Sequence, residues 1–480
     1  MEPVLLTQLL VATRAETPGL ANGLANGLAN EDLVLTRVSI DSRTLQPGDL
    51  FWALRGTKYD GHNFVNEAIC RGAIAYVVER NCKLQLTGPR IIVDDTRRAL
   101  GDFARWFRQR REALIIGVTG SVGKTTTREM IHAVLSAEHV GKQSQSNYNN
   151  EIGLPLSLLE LAAGDEFAVY EMGAARIGDI RELCEIACPE VGVITRIGKA
   201  HLETFGTVEN VYRGKGELLD ALPKHGFAVV CGDDLMMRSI AARAACPVIF
   251  VGEQPGNQVR ATNVEFQPGR LQFTVDHKKY ELSVPARHYL TAALCALAVA
   301  REVGMQPCAI AEGFSRFVGQ PGRCTVEQAE TCTIIDDTYN ANPLSMQAAC
   351  LALSAWPGEG HKLFVVGDML ELGAETKTSH QDLGGFVAAA SVDRLLAFGE
   401  NAGHVSWGAL HAGMRQHVVA ECRELNTLLT VLDCWLEPGD VVLVKGSRGM
   451  KMERVVSWLK QRRVDHSHGN KIPSTARAVA

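Results

Sequence analysis

The chain has 480 residues, which is long enough for about three domains of ordinary size. Hydrophobic residues make up 46% of it and charged residues 21%, a balance typical of soluble globular proteins. Its formal net charge of −5 argues against a broad basic surface for nucleic acid, and no segment approaches the roughly 18 apolar residues of a membrane-spanning helix.

The N-terminal segment begins with MEPVLLTQLL, whose apolar run has no basic residues before it, so we expect no signal peptide. Three tandem copies of Gly-Leu-Ala-Asn follow at 19–30. A four-residue period is too short for a repeat domain, whose units span about 20 to 50 residues. Because Gly and Asn disfavour a helix, we predict a flexible surface insertion.

Alternating strand and helix patterns begin at Leu33. DLFWAL and AIAYVVE predict strands and RRALGDFARWFRQRRE a helix, and the strand LIIGVTG then opens a longer series with FAVYEMG, VGVITRIG, FAVVCGD and PVIFVGE. Such alternation is typical of a parallel sheet covered by helices. After Pro321 the pattern restarts with CTIIDDTYNANP, KLFVVGDM, RLLAFGE and VVLVKGSRG, which predicts a second parallel α/β unit. The polar stretch 463–480 is interpreted as a frayed tail.

The thirteen cysteines include no CxxC pair, so we interpret them as reduced thiols of a cytoplasmic protein. Cys184 and Cys188 come nearest to a metal pair, but they lie in a predicted helix without a nearby histidine. Buried thiols are therefore the favoured interpretation of these two residues.

The segment VTGSVGKTTT has the pattern of a phosphate-binding loop between a strand and a helix. Gly120 and Gly123 allow backbone N–H groups to face phosphate oxygens without a Cβ in the way. Lys124 would place its charge on the β and γ oxygens, and the Thr125 hydroxyl suits Mg²⁺. Val118 replaces the first glycine of the longer consensus, so the fit is to GxxGK[ST]; the alternative is a glycine-rich turn with a chance Lys-Thr. The predicted nucleotide contacts are Thr119, Gly120, Ser121, Val122, Gly123, Lys124, Thr125 and Thr126.

Two further side chains, Glu171 and His201, are predicted at the same edge of the sheet, and Lys215 is a third residue of interest. Glu171 ends the strand FAVYE, where open α/β sheets place their ligands, so it is a candidate Mg²⁺ ligand; the alternative is a solvated glutamate. His201 follows another strand and is a candidate for the same site, although a lone histidine is more often structural. Lys215 lies among small residues in YRGKGELL, and by itself it reads as a surface lysine.

Two asparagine-rich segments suit polar ligands. Asn149 and Asn150 in NYNNEIGLPLSLLEL can donate to and accept from a phosphate or amide, with a capped loop as the alternative. Asn340 and Asn342 in DDTYNANPLSM follow a strand, and their amides suit an adenine edge. The alternative for the second pair is ordinary turn chemistry.

A larger set of motifs carries a family resemblance. The motifs are TGSVGKTTT, NYNNEIGLPLSL, YEMGAARIGDI, ITRIGKAHLETFG, GKGELL, DDTYNANPLSM, GDMLELG and VLVKGSRGMKME. Together they resemble the Mur ligases of peptidoglycan synthesis, most closely the dipeptide-adding type, and SIDSRTLQPGDLFWALRGTKYDGHNFV is similar to the family's nucleotide-sugar domain. The resemblance covers residues 33–459; DDTYNANP with GDMLELG is its specific part, because the phosphate loop alone fits many families.

The resemblance implies an α/β protein of three domains. These are a small α/β nucleotide-sugar domain at 1–112, a central P-loop parallel-sheet ATPase domain at 113–323 and a C-terminal Rossmann-like α/β domain at 324–462. It further implies an ATP-dependent ligase that adds D-alanyl-D-alanine to UDP-N-acetylmuramoyl-tripeptide through an acyl phosphate. ATP and two Mg²⁺ ions are the implied cofactors of this cytoplasmic monomer, and neither nucleic acid nor membrane insertion is expected.

The resemblance also implies residue roles. Lys215 matches a lysine that becomes carbamylated and so supplies an anion for a second Mg²⁺. Arg323 matches an arginine facing the γ-phosphate, and Asn340 an adenine contact. The predicted catalytic residues are Lys124, His201, Lys215 and Arg323. The predicted metal-site residues are Thr125, Glu171, His201 and Lys215. The predicted substrate-binding residues are Asp41, Ser42, Arg43, Asn149, Asn150 and Ser447.

Two other functions remain open from the sequence. One is a related ligase that adds a single amino acid, or a folylpolyglutamate synthase, against which DDTYNANP argues. The other is a nucleotide-binding switch without ligation chemistry. A switch would have no use for Glu171, His201 and Lys215, so these residues count against it.

Overall fold

The structure is a computed structural model that describes residues 1–17, 33–56, 58–82, 90–145 and 147–462. The predictions for the Gly-Leu-Ala-Asn repeats and for the C-terminal tail therefore lie outside the described residues. The chain divides into two compact units, Met1–Val318 and Gly319–Ala480.

The first unit begins with a four-stranded parallel sheet in the order β3-β4-β5-β6. The elements of this part are β1 (Val4–Leu5), α1 (Leu6–Thr13), β2 (Val34–Leu35), β3 (Val38–Ser39), β4 (Leu50–Trp52), α2 (Val65–Cys70), β5 (Ala75–Glu79), β6 (Arg90–Val93) and α3 (Thr96–Arg108). The Asp95 carboxylate caps α3 by accepting from two backbone N–H groups of its first turn. Phe103 and Phe107 of α3 are buried, and the Trp52 indole donates to Thr96 O at 2.7 Å, which fixes the helix on the sheet.

A seven-stranded parallel sheet forms the centre of the same unit, in the order β13-β12-β11-β10-β7-β9-β8. Its elements are β7 (Leu114–Thr119), α4 (Lys124–Leu135), β8 (Gly141–Gln143), α5 (Gly153–Leu158), β9 (Phe167–Glu171), α6 (Asp179–Ala187), β10 (Val191–Ile194), α7 (Leu202–Phe205), α8 (Val208–Lys215), α9 (Glu217–Ala221), β11 (Phe227–Cys231), α10 (Leu235–Ala241), β12 (Val248–Gly252), β13 (Val259–Arg260), α11 (Tyr289–Glu302) and α12 (Pro307–Arg316), with β14 (Thr262–Gln267), β15 (Arg270–Val275) and β16 (Lys278–Leu282) inserted before α11.

The central strands are continuous apolar runs because helices cover both faces of the sheet. The strands β9 and β10 are buried at every position. The helix α4 packs against α11 and α12, whereas α6 packs against α3, α5 and α9. The predicted parallel sheet is thus confirmed. The antiparallel sheet β14-β15-β16 is an addition that the sequence patterns did not predict.

The second unit contains a six-stranded sheet in the order β17-β18-β22-β19-β20-β21, in which only β17 is antiparallel. Its elements are β17 (Thr325–Gln328), β18 (Cys332–Asp337), α13 (Pro343–Ser354), β19 (Lys362–Gly367), α14 (Thr376–Ala389), β20 (Arg394–Phe398), α15 (Ala402–His411), β21 (Val419–Cys422), α16 (Leu425–Trp435), β22 (Asp440–Lys445) and α17 (Glu453–Gln461). This is the second parallel α/β unit predicted from CTIIDDTYNANP onward.

Two predictions from composition, one on membrane-spanning helices and one on the cysteines, can be compared with the described residues. None of the described helices combines the length and hydropathy needed to cross a bilayer. All thirteen cysteines lie among the described residues as free thiols. Cys184 is buried, and burial raises the pKa of its thiol, whereas Cys188 is half-buried at the end of α6.

His380 in α14 holds the loop after β19 and should make the second unit sensitive to acid. Its Nδ1–H donates to Thr376 O at 2.6 Å, so Nε2 is left to accept from Met369 N at 3.0 Å. Burial lowers the pKa of His380 from its ordinary value, because a charged imidazolium is poorly solvated there. Protonation would also set an Nε2–H group against the N–H of Met369. The neutral His380 side chain stabilises the folded protein fully above the pKa that this histidine has in the unfolded chain. The stabilisation is lost as the pH falls through the lower pKa of His380 in the folded protein.

We therefore expect the free energy of unfolding of the wild type to fall between about pH 7.5 and about pH 5.5. The His380→Gln variant, although less stable at neutral pH, should lose less over the same interval. Urea unfolding of both proteins at the two pH values checks this. Equal losses in the two proteins would contradict a role of His380 in the pH dependence.

Candidate functional site

The predicted phosphate loop joins β7 to α4 at the carboxyl edge of the seven-stranded sheet. The strand β7 lies between β10 and β9, so loops from three neighbouring strands meet there. Gly123 has φ 86° and directly precedes α4, and Gly120 has φ 148°. A Cβ at Gly120 would collide with Thr195 Oγ1. Both glycines are therefore required by the backbone, as the loop pattern predicted.

The loop is fastened to the segment that follows β10. Ser121 N and Val122 N donate to Arg196 O at 2.9 and 3.2 Å, and Ser121 Oγ donates to Gly198 O at 3.1 Å. The Lys124 amine reaches back over the loop to Gly120 O at 3.0 Å. Because the first-turn N–H groups of α4 have no acceptor within the helix, this end suits an anion, and Lys124 adds a full positive charge.

Glu171 lies beside the loop at the end of β9 and is buried, with 3% of its surface exposed. Its Oε2 accepts from Thr125 Oγ1 at 2.7 Å and its Oε1 from Asn149 Nδ2 at 2.8 Å. The alternative of a solvated strand-end glutamate is therefore excluded. The structure brings three predicted site residues into one hydrogen-bonded group.

The sequence interpretation missed Arg128, which lies one turn after Thr125. Its side chain is 1% exposed and its guanidinium is 4.0 Å from Glu171 Oε2. It also donates to Gln143 Oε1 at 3.1 Å and pairs with Glu129 at 3.0 Å. This buried cation balances part of the carboxylate charge around the loop. The one sequence signal for it is a charged residue on the apolar face of α4.

Lys215 ends α8 and is buried, with 1% of its surface exposed, so the interpretation as a surface lysine is wrong. Its Nζ donates to Ala174 O at 3.0 Å, in the loop that follows Glu171. Burial, reinforced by the positive charge of Lys124, lowers the pKa of the Lys215 ammonium well below its usual value, and Asp179 and Glu171 oppose this effect. Lys215 is thus a buried amine inclined to be neutral.

His201 is half-buried directly before α7, with a left-handed φ of 52°. Its carbonyl accepts from Thr204 N and Phe205 N, which turns the chain into α7. Across the described residues, no three His, Cys, Asp or Glu side chains form a group able to hold a metal ion. The metal-binding role of His201 stays a prediction.

The other predicted substrate residues of the first unit hold local turns. The Asn150 side chain accepts from Ile152 N and Gly153 N at the start of α5, which is the capped loop named as its alternative. Arg43 forms a two-pronged ion pair with Asp41, and this hydrogen bonding lowers the pKa of Asp41. Ser42 is buried and donates to Glu67 at 3.1 Å.

In the second unit, predicted residues lie on loops at the carboxyl ends of β18 and β22. Asn340 Oδ1 accepts from Ala341 N at 2.9 Å, and Ser447 Oγ accepts from Leu370 N at 2.9 Å. The buried Lys445 forms an ion pair with Asp337 at 2.7 Å, which links the two strands, and Lys445 also donates to Asn340 O at 2.8 Å. Sequence interpretation missed this pair, although a lysine ending an apolar strand is a visible signal.

Arg323 lies in the turn before β17. Its guanidinium carbon stacks 3.9 Å from the centroid of the Tyr339 ring. Tyr339 N in turn donates to Gly322 O at 3.1 Å, which holds this turn against the loop that carries Asn340. The structure therefore brings Arg323 and the Asn340 loop together within the second unit.

Comparison with known proteins gives three consecutive family matches. Residues 34–108 match the Mur ligase family catalytic domain, residues 118–300 the Mur ligase middle domain and residues 322–448 the Mur ligase glutamate ligase domain. A full-length relative, the UDP-N-acetylmuramoyl-tripeptide–D-alanyl-D-alanine ligase of Escherichia coli K12, is 36% identical over 90% of this chain and 95% of its own length. The chain belongs to the Mur ligase family.

Solved structures of Mur ligases agree in fold. MurF from Acinetobacter baumannii superposes with a TM-score of 0.86 at 31% identity, covering 96% of this chain and 100% of that one. MurF ligase from Thermotoga maritima in complex with ADP gives a TM-score of 0.79 at 31% identity, covering 90% and 98% respectively. The predicted family and its three-domain α/β fold are confirmed.

The domain boundaries are a separate matter. Two of the three family matches fall within the first compact unit, and the third falls within the second unit. The boundaries predicted at 112/113 and 323/324 stay predictions.

Proposed function

We propose that this Mur ligase joins D-alanyl-D-alanine to UDP-N-acetylmuramoyl-tripeptide, using ATP, in the synthesis of peptidoglycan precursors. The observation that carries the proposal is the site itself. A phosphate loop, a buried carboxylate and a buried amine meet at one edge of a parallel sheet, in a chain whose full-length relatives bear this ligase name. A nucleotide switch has no use for such an amine.

The residues present fit ATP with Mg²⁺. Thr125 and Glu171 offer the oxygen ligands that Mg²⁺ prefers, 2.7 Å apart. The remaining ligands would be phosphate oxygens, His201 and a modified Lys215. When bound, Mg²⁺ supplies charge neutralisation at the phosphates.

Lys215 is suited to carbamylation. A neutral amine attacks CO₂ at carbon, forming an N–C bond and releasing a proton to water, which leaves an N-carboxylate. Burial favours the neutral amine that this step requires. The product supplies a second carboxylate near Glu171, and its remaining N–H can keep donating to Ala174 O.

The reaction follows from this arrangement. The tripeptide carboxylate oxygen takes the γ-phosphoryl group of ATP, and ADP leaves. The amine of D-alanyl-D-alanine attacks the carbonyl carbon of the acyl phosphate, the C–O bond to phosphate breaks, and an amide forms. Lys124 stabilises the charge on the transferring phosphoryl group, and most of the catalysis is alignment, as phosphoryl transfer generally requires.

The outer substrate contacts are assigned by the same proposal. Asp41, Ser42 and Arg43 would contact the uridine nucleotide, Asn340 the adenine, Arg323 the γ-phosphate and Ser447 a substrate. The free thiols of all thirteen cysteines support a reducing, cytoplasmic compartment. The monomeric state stays a prediction.

Phosphate release with defined precursors tests the proposal. With ATP, Mg²⁺ and UDP-N-acetylmuramoyl-tripeptide present, we expect phosphate release on adding D-alanyl-D-alanine and none on adding meso-diaminopimelate. Release with the single amino acid alone would favour a related ligase. Release that needs no acceptor would favour a nucleotide switch.

A further inference from the structure

We propose that Glu217 is a positioning residue for Lys215: it ties the chain just after Lys215 to the loop that carries the acceptor of the Lys215 amine. The inference rests on the proposed role of Lys215, and it assigns a task to a buried carboxylate that the mechanism above does not use. Glu217 touches no reacting atom in this proposal and acts only through Lys215.

Glu217 is 2% exposed and accepts several hydrogen bonds from one short segment. Gly178 N donates to its two carboxylate oxygens at 2.9 and 3.1 Å. Arg181 N donates to it at 3.2 Å, and the Arg181 guanidinium lies 3.4 Å away. These donors belong to the start of α6, so a carboxylate from α9 serves as the cap of a different helix.

The backbone around this contact is built for a close approach. Gly178 has φ 102° and directly precedes α6. A negative charge there is favoured by the helix dipole as well as by the hydrogen bonds. Glu217 therefore fixes the position of the residues just before α6 with respect to α9.

Lys215 and Glu217 form hydrogen bonds with two different residues of the same loop. The loop 172–178 leaves β9 directly after Glu171; Ala174 O accepts from Lys215 Nζ at 3.0 Å, and Gly178 N donates to Glu217. Only Gly216 separates the two side chains, so a shift of the loop against α9 would move the Lys215 amine away from its acceptor. The buried hydrogen bonds that Glu217 accepts from Gly178 N and Arg181 N prevent that shift.

The hydrogen bonds of Glu217 also help to hold the carbamate of Lys215 in one orientation. A carbamate nitrogen keeps one N–H, and donating it to Ala174 O fixes the rotation of the N-carboxylate. If the loop were released, the same group could turn away from Glu171. A misplacement of about 1 Å can cost roughly 100-fold in rate when alignment carries the catalysis.

Glu190 offers a matched control because it has the same kind of partners at the opposite edge of the sheet. Glu190 lies directly before β10, and its carboxylate accepts from the Arg108 guanidinium at 2.6 Å and from Ile115 N at 2.9 Å. Replacing Glu190 by Gln thus removes a partly buried carboxylate that is tied to an arginine and a backbone N–H, without touching the loop 172–178.

The experiment compares Glu217→Ala, Glu217→Gln and Glu190→Gln with the wild type. Three quantities are measured: kcat, the calorimetric affinity for ADP, and the carbamate signal of Lys215 in carbon-13 NMR after equilibration with labelled bicarbonate. Lys215→Ala identifies the signal. We expect Glu217→Ala to lower kcat by roughly 10- to 100-fold and to weaken or shift the carbamate signal, with ADP affinity retained.

Glu217→Gln, which keeps an oxygen acceptor for Gly178 N, should recover part of both losses, and Glu190→Gln should match the wild type. An unchanged carbamate signal in Glu217→Ala, or an equal loss in Glu190→Gln, would overturn the proposal. The absence of a Lys215 signal from the wild type would overturn it too. The proposed function fails separately, if the wild type releases no phosphate with D-alanyl-D-alanine, because the NMR comparison needs no turnover.

Discussion

Lys124→Ala should abolish turnover while leaving the fold intact. The Lys124 amine is the positive charge of the phosphate loop, and it reaches back to Gly120 O at 3.0 Å above the start of α4. Without it, the charge that develops on the transferring phosphoryl group has no cation supplied by the loop. We expect acceptor-dependent phosphate release to fall by roughly three orders of magnitude or more.

The matched control is Lys224→Ala, which removes an exposed lysine from the loop before β11, at the opposite edge of the sheet. It should leave phosphate release unchanged. The thermal midpoint of Lys124→Ala should stay close to that of the wild type, because Lys124 is not part of the apolar core. Turnover of Lys124→Ala within about an order of magnitude of the wild type would refute the assignment of the loop.

The strands and the phosphate loop were predictable because their signals are local. Apolar runs such as FAVYE and VGVI form strands buried on both faces, and Gly120 and Gly123 occupy backbone conformations that other residues avoid. The antiparallel insertion β14-β15-β16 was not predicted, because β14 has no buried position and its pairing with β15 shifts register between Thr262 and Glu265, which weakens the alternating pattern of a strand.

Charged residues inside the site were the hardest to predict. Lys215 reads as a surface lysine in sequence, and only the packing of α8 shows that its amine is buried against Ala174. Arg128 and Glu217 act through partners that are distant along the chain, such as Glu171 and Gly178. Burial of a charge is a property of the assembled fold, so spacing can single out a residue such as Arg128 on the apolar face of α4 but cannot identify its partner.

The buried charges around the loop also disfavour a positively charged Lys215. Lys124 lies near enough to Lys215 to lower the pKa of its ammonium, and Arg128 stands 4.0 Å from Glu171. An uncharged or carbamylated Lys215 avoids placing a third cation beside them. The same arrangement suits a nucleotide whose phosphates bring several negative charges together with Mg²⁺.

Lys215→Ala should therefore lower activity strongly. If Lys215 were an ordinary surface lysine, the substitution would cost little, since most surface substitutions change the free energy of unfolding by no more than about half a kcal/mol. The change removes the proposed carbamate, and we expect phosphate release to fall by at least about 100-fold, the order of effect seen when a group aligned with the phosphates is lost. Phosphate release with and without added acetate or formate measures both the loss and its repair.

A small carboxylic acid should partly restore Lys215→Ala, because the shortened side chain leaves a buried space in which the acid can replace the N-carboxylate near Glu171. Lys215→Met is the matched control: its side chain fills that space and cannot be carbamylated, so acid should restore nothing. Near-normal activity of Lys215→Ala without additive would refute the role of Lys215. Equal restoration of both variants would show that the acid acts elsewhere. Restoration confined to Lys215→Ala is the result that the buried amine at Ala174 predicts.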